Sequence, residues 1–92
     1  MIRSFRGKDV QEIFEGFGSR RFRAIETVAK RRLDFLAAAS SLLDLAAVRS
    51  NHLEALTGDR KGQHSIRINL QWRICFVWKD ADAWDVDIVD YH

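Results

Sequence analysis

The chain has 92 residues, 47% of them hydrophobic and 11% aromatic, with a formal net charge of +2 at pH 7. This length suits a single domain over residues 1–92, and the aromatic content excludes a disordered chain. No apolar run approaches the roughly 20 residues that a membrane span needs, and residues 1–5 lack the apolar core of a secretory signal. We therefore expect a cytoplasmic protein that does not enter a membrane.

The N-terminal segment is predicted to form a short strand and then a helix. Residues 2–5 can form the strand, and Gly7 ends it. Four apolar residues follow at the spacing of an amphipathic helix: Val10, Ile13, Phe14 and Phe17. Gly16 and Gly18 close this helix, and Ser19 is the predicted N-cap of a second one.

The second helix combines an apolar stripe with a basic cluster. The stripe consists of Phe22, Ile25, Ala29, Leu33 and Leu36. Six basic residues of the same segment are offset by Glu26 alone: Arg20, Arg21, Arg23, Lys30, Arg31 and Arg32. Such a cluster favours an anionic partner, although the solvated face of a helix has the same pattern.

The second half of the chain changes to the period of strands. Residues 37–51 form either a helical turn or a buried loop, and residues 58–62 are a charged turn rich in glycine. Three strands are predicted after it, over residues 63–68, 72–78 and 84–91. The predicted fold is therefore α+β, with two N-terminal helices packed on an antiparallel sheet of about four to five strands.

The alternation along these strands predicts which side chains face the helices. The helix-facing set is Ile66, Ile68, Trp72, Ile74, Phe76, Trp84, Val86 and Ile88. Arg67 and Arg73 have the opposite parity, and they lie directly opposite each other if the hairpin is centred on Leu70. Facing like charges destabilise a sheet, so the pair either holds a phosphate between its guanidinium groups or is splayed into water. Cys75, in an apolar run, is predicted to be a small core residue.

Three blocks of sequence, in this order and spacing, are specific enough to suggest a family. They are Gly58-Asp59-Arg60, Trp72-Arg73-Ile74 and the terminal Asp90-Tyr91-His92. Together with the opening residues 1–8 and the segment 53–69, they make the chain resemble the HigB branch of the RelE-like bacterial toxins over nearly its full length.

The resemblance implies the RelE-like microbial ribonuclease fold and a toxin of a type II toxin–antitoxin system. Members of this family are ribosome-dependent endoribonucleases that cut mRNA in the ribosomal A site and use no metal or other cofactor. The implied partner is a HigA-type helix-turn-helix antitoxin, which neutralises the toxin. The pair represses its own operon by binding operator DNA.

The candidate catalytic residues suit metal-free RNA cleavage, which needs a base, an acid and cations. His92 is a candidate acid or base because imidazole titrates near neutral pH. Asp90 either orients that imidazole or acts as a base itself, and Tyr91 either bonds the phosphate or stacks on a base. Arg73, with Arg67, would stabilise the phosphorane oxygens. The alternative is that the three terminal residues are an ordinary strand end.

The sequence departs from the family pattern at one place. Many HigB toxins carry His-Pro where this chain has Glu54-Ala55, and Lys where it has Thr57. Glu54 is therefore either a substitute general base or a surface residue. Of the other histidines, His64 stands where an aromatic residue is common and is expected to be structural, whereas His52 fits no pattern.

The predicted RNA- and ribosome-binding residues are Arg31, Arg32, Arg60, Lys61 and Arg67. The sequence is also compatible with two other functions. A ParE-type toxin shares the fold but poisons DNA gyrase, and the terminal Asp90-Tyr91-His92 triplet argues against it. A non-catalytic nucleic-acid-binding module would use the basic helix face, but the sequence has no helix-turn-helix or aromatic stacking motif.

Overall fold

The computed structural model describes residues 1–91, which form three α-helices followed by an antiparallel sheet. The elements are α1 (Lys8–Phe14), α2 (Glu26–Ala38), α3 (Leu42–Ala47), β1 (Glu54–Ala55), β2 (Gln63–Arg67), β3 (Trp72–Lys79) and β4 (Asp82–Asp90). The strands lie in the order β1-β2-β3-β4, each antiparallel to its neighbour. The predicted α+β class is confirmed. No helix within this part of the chain has the length and apolar character of a membrane span.

The core lies between the helices and one face of the sheet, which we call the helix-facing side. Ala29, Leu33 and Leu36 of α2 are fully buried, as the predicted stripe requires. The sheet contributes Ile66, Ile68, Ile74, Phe76, Ala83, Val86 and Ile88. Burying a large aliphatic or aromatic side chain contributes about 1.5–3 kcal/mol, so these contacts are the main source of stability.

The first helix is shorter than predicted, and two expectations are wrong. α1 ends at Phe14, and Gly16 follows with φ of +90°. Phe17 is therefore off the helix and 80% exposed. Ser19 does not cap α2, which begins seven residues later at Glu26. Its backbone N–H instead donates to the Glu26 carboxylate at 3.1 Å. The side chain of the first α2 residue therefore links the two ends of the segment between residues 19 and 26.

Trp84 does not face the helices, because a β-bulge interrupts the alternation of β4. Residues 84–87 of β4 oppose residues 75–77 of β3, so β4 holds one extra residue. Asp85 lies at this bulge with φ of +52°. The extra residue reverses the parity on its far side. Ala83 therefore takes the fully buried core position, and Trp84 turns to the other face.

Two further segments differ from or refine the sequence prediction. The predicted first strand is reduced to two isolated parallel bridges on the outer edge of β4, at Ile2 and Phe5. The Arg3 guanidinium bonds the Asp82 carboxylate at 2.9 Å and lowers the pKa of that carboxyl group. Residues 37–51 are mainly helical, with α3 capped by Ser41 and followed by a 3-10 turn at Arg49–Asn51.

Candidate active site

The two arginines of the β2–β3 hairpin lie directly opposite each other, as the sequence predicts. Arg67 pairs with Arg73 in the strand register, and both lie on the face of the sheet away from the core. We call this the second face, defined by Ser65, Arg67, Arg73 and Cys75. Arg73 is not splayed into water, because only 7% of it is exposed. Arg67 is half-buried beside it.

The guanidinium of Arg73 is held by neutral oxygens. Its Nε donates to Ser65 Oγ at 2.7 Å, and its Nη2 donates to the carbonyl of His52 and to that of Ser65. None of the ion pairs formed among residues 1–91 includes Arg73. Burying a charged group without a counter-ion is costly. The arrangement therefore keeps a fixed positive charge whose field is available to an anion.

His52 reaches the two arginines from the 3-10 turn that follows α3. Its backbone is left-handed, with φ of +44° and ψ of +54°, a conformation that histidine tolerates better than most residues. This conformation directs its carbonyl to Arg73, while its Nε2 lies 3.2 Å from Nη1 of Arg67. The imidazole is exposed. Sequence reasoning did not identify His52, because neither the turn nor its left-handed end has a sequence signal.

The turn that carries His52 is held in place by the buried side-chain amide of Asn51. Asn51 is fully buried, and its Nδ2 donates to the carbonyl of Leu45 at 3.0 Å. Arg32 of α2 donates to Asn51 Oδ1 at 2.7 Å and to Ser50 Oγ at 3.2 Å. Arg32, a predicted RNA-binding residue, is thus half-buried and tied to the turn, whereas Arg31 next to it is exposed.

Tyr91 lies beside Arg73 at the end of β4. The guanidinium carbon of Arg73 is 5.6 Å from the centre of the Tyr91 ring, a cation–π distance. The ring is 42% exposed, so it covers the cation and keeps an open surface. Tyr91 is therefore a neighbour of Arg73 in the folded chain.

The other members of the terminal triplet are placed differently. Asp90 pairs with Trp72, so it has the parity of the helix-facing side, and its Oδ2 accepts from Gln71 Nε2 at 3.1 Å. It is exposed at the strand end. The prediction for His92 falls outside the described residues.

Glu54 lies on the second face but not in contact with the arginines. It pairs with Ser65, two residues before Arg67 on β2, and its side chain is exposed. Two residues along a strand span about 7 Å. The hydrogen bonds and ion pairs described for residues 1–91 do not join Glu54 to Arg67 or Arg73.

The charged turn after β1 lies close in sequence to this face. Arg60 is half-buried and donates to Gln63 Oε1 at 3.1 Å, and Lys61 is exposed next to it. Cys75 is buried, as predicted, but it lies on the second face opposite Ser65 and not in the core between helices and sheet, and burial raises the pKa of its thiol. Among the described side chains no three His, Cys, Asp or Glu groups converge as a metal site requires.

Comparison with known protein families identifies relatives over the whole length. The family model described as the RelE-like toxin of type II toxin–antitoxin system HigB matches residues 3–92. Toxin HigB-1 of Vibrio cholerae serotype O1 is 35% identical over 85 residues, with 90% of each chain covered. Endoribonuclease HigB of Proteus vulgaris is 31% identical over 94 residues, with both chains fully covered.

Comparison with solved structures supports the fold. The heterotetrameric YoeB-YefM toxin–antitoxin complex from Staphylococcus aureus contains a chain that superposes with a TM-score of 0.58 at 16% identity. A second YoeB-YefM complex from the same organism gives 0.53 at 15% identity. Each match covers 100% of this chain and 98% of the other. At this level of identity the likeness concerns the fold alone.

Proposed function

We propose that this chain, which belongs to the HigB family of RelE-like toxins from type II toxin–antitoxin systems, is a ribosome-dependent endoribonuclease that cuts mRNA in the A site. One of its relatives is named an endoribonuclease. The observation that carries the proposal is the Arg73 site, in which a nearly buried guanidinium, held by Ser65 and His52, lies under the exposed ring of Tyr91.

Cleavage without a metal needs the charge of the phosphorane to be balanced by the protein. Arg73 is suited to this because its hydrogen bonds to the described residues use Nε and Nη2. Nη1 is then the edge that would meet a phosphate oxygen. Arg67, in register opposite, supplies a second guanidinium. A cation held in place before the reaction stabilises developing charge without reorganisation.

The remaining chemistry is assigned to the end of the chain. Tyr91 presents a partly exposed ring on which a nucleotide base can stack. His92 serves in proton transfer, and Asp90, at the adjacent strand end, helps to orient it. Glu54 is the weaker candidate for a catalytic role. It is exposed, and its strand partner Ser65 lies two residues from the arginine pair, about 7 Å along the strand.

Binding to the ribosome is assigned to the predicted basic residues. Arg31, Arg60, Lys61 and Arg67 carry positive charge at or near the surface, and Arg32 supports them by fixing the turn of His52. Ribosomal RNA is the expected anionic partner. The proposal places the protein in the cytoplasm with a HigA-type helix-turn-helix antitoxin, and the complex of the two on operator DNA.

The test is cleavage of a defined mRNA by the purified chain with and without ribosomes. Primer extension should reveal cuts only when ribosomes hold the message with an empty A site. Equal cleavage of naked RNA would contradict ribosome dependence. An absence of cleavage in both reactions, combined with inhibition of DNA gyrase, would replace the proposal with the ParE-type alternative.

A further inference from the structure

His52 occupies a position at the arginine pair that the sequence does not reveal. Guanidinium groups only donate hydrogen bonds. In a hydrogen bond between Arg67 Nη1 and His52 Nε2, which lie 3.2 Å apart, the histidine nitrogen is the acceptor. The Nε2 lone pair of His52 is then directed toward the Arg67 guanidinium, one of the two cations of the second face. An imidazole nitrogen with a lone pair can accept a proton once that hydrogen bond is released.

The position of the ring is determined by its own backbone. The carbonyl of His52 accepts from Arg73, and the preceding residue, Asn51, is fully buried and bonded to both Leu45 and Arg32. The left-handed backbone at residue 52 therefore sits between a fixed turn and a fixed guanidinium. The ring itself is exposed. Such an arrangement fixes the backbone of residue 52 and leaves the imidazole exposed beside Arg67.

The other described histidine does not offer the same chemistry. His64 pairs with Phe76 and stacks on it at 6.2 Å, on the helix-facing side. Its Nδ1 is buried. Within residues 1–91, His52 is therefore the imidazole that lies on the second face with the two arginines.

We propose that His52 is a catalytic residue and acts as the general base of the cleavage reaction, an assignment that rests on the proposed ribonuclease function. An RNA phosphate bound between Arg67 and Arg73 would draw the Arg67 guanidinium toward it and free His52 Nε2. His52 then takes the proton of the 2′-hydroxyl as the 2′-oxygen forms its bond to phosphorus. The bond from phosphorus to the 5′-oxygen breaks, and that oxygen takes a proton from His92 or from water. The products are a 2′,3′-cyclic phosphate and a 5′-hydroxyl.

The variant that tests this role is His52→Asn. Asparagine adopts the left-handed conformation readily, so the carbonyl that holds Arg73 should stay in place while the imidazole is lost. A matched control is Asp80→Asn, since Asp80 is also exposed with a positive φ of +54°. It lies in the β3–β4 turn, about 20 Å from Arg73 along the strand. Circular dichroism should show both variants folded.

The measurement is the single-turnover rate of cleavage on ribosomes programmed with one message. His52→Asn should cut about 10²–10⁴-fold more slowly than the wild type, the usual contribution of a general base or acid, and Asp80→Asn should cut at the wild-type rate. A folded His52→Asn protein that cuts at the wild-type rate would overturn the assignment. If the wild type itself does not cut, it is the proposed function that fails.

A second substrate distinguishes the loss of a general base from the loss of a general acid. Replacing the bridging 5′-oxygen at the cleavage site by sulfur creates a leaving group that needs no proton. A variant that lacks the base should remain slow on this substrate, because the 2′-hydroxyl must still be deprotonated. Restoration of His52→Asn to the wild-type rate by sulfur would show that His52 is the acid, contrary to the proposal.

Discussion

The two faces of the sheet bury side chains of opposite character, apolar on one face and polar or charged on the other. On the helix-facing side Ile66, Ile74 and Phe76 are fully buried against the helices, and the contacts are apolar. On the second face the alternate residues of the same strands, Ser65 and Arg73, are also buried, but they are polar or charged. The two sets alternate along β2 and β3, so every strand residue contributes to one face or the other.

This contrast separates the face that stabilises the protein from the face that binds its substrate. Each large apolar side chain on the helix-facing side contributes about 1.5–3 kcal/mol. Removing a guanidinium from water costs several kcal/mol, which hydrogen bonds to neutral oxygens only partly offset. A hairpin that places two arginines in register, one of them almost buried, therefore lowers stability. We infer that the second face is built for anion binding.

The largest effect on mRNA cleavage is expected from removal of His92 at the C-terminal end of the chain, a change that should not affect folding. The core cluster is formed by residues 10–88, so a chain that ends at Tyr91 retains all of it. Removing His92 should leave stability and antitoxin binding unchanged but reduce mRNA cleavage by about 10²–10⁴-fold.

Circular dichroism and primer extension on the same preparation check the prediction for His92. A substrate with sulfur in place of the 5′-oxygen should restore much of the rate if His92 is the acid. Cleavage at the wild-type rate by the shortened chain would mean that proton transfer runs through other residues.

A smaller effect, on ribosome binding, is expected from a substitution on α2, which belongs to neither face of the sheet. Arg31 is exposed, and the structure gives it no role in fixing the fold, unlike Arg32, which bonds Asn51. Arg31→Glu should weaken co-sedimentation with ribosomes several-fold and reduce the salt dependence of binding, because each phosphate contact contributes roughly 0.7–0.9 to the salt slope.

The control for Arg31 is Lys8→Glu, which makes the same change of charge at an exposed position of α1. Equal binding by both variants and the wild type would assign the basic cluster of α2 to solvent or to the antitoxin.

The sequence predicted the features that depend on regular periods. The strand alternation and the hairpin centre were sufficient to pair Arg67 with Arg73. The helical spacing of the apolar stripe was sufficient to place Ala29, Leu33 and Leu36 in the core. The resemblance to HigB toxins was confirmed by the family match over residues 3–92.

The features that sequence reasoning missed are irregular ones. The bulge at Asp85 reverses the parity of Trp84, and an alternating pattern carries no sign of one extra residue. His52 reaches the site through a left-handed backbone after a 3-10 turn, which no local pattern marks. The sequence left the exposure of Arg73 open, because its hydrogen-bond partners are the hydroxyl of Ser65 and the carbonyl of His52, both on other segments of the chain.

The most direct test compares two neighbouring residues of β3 that point to opposite faces. Ile74→Ala should lower the free energy of unfolding by about 2–5 kcal/mol, while the molecules that remain folded cut mRNA at nearly the wild-type rate. Arg73→Gln keeps a donor for Ser65 but removes the charge. It should stay folded and cut about 100-fold more slowly.

The measurement is the cleavage rate per folded molecule, with the folded fraction taken from urea unfolding of each variant. Our account predicts that stability falls at Ile74 and activity at Arg73. It is contradicted if folded Arg73→Gln cuts at the wild-type rate, or if both variants lose activity only in proportion to the fraction that unfolds.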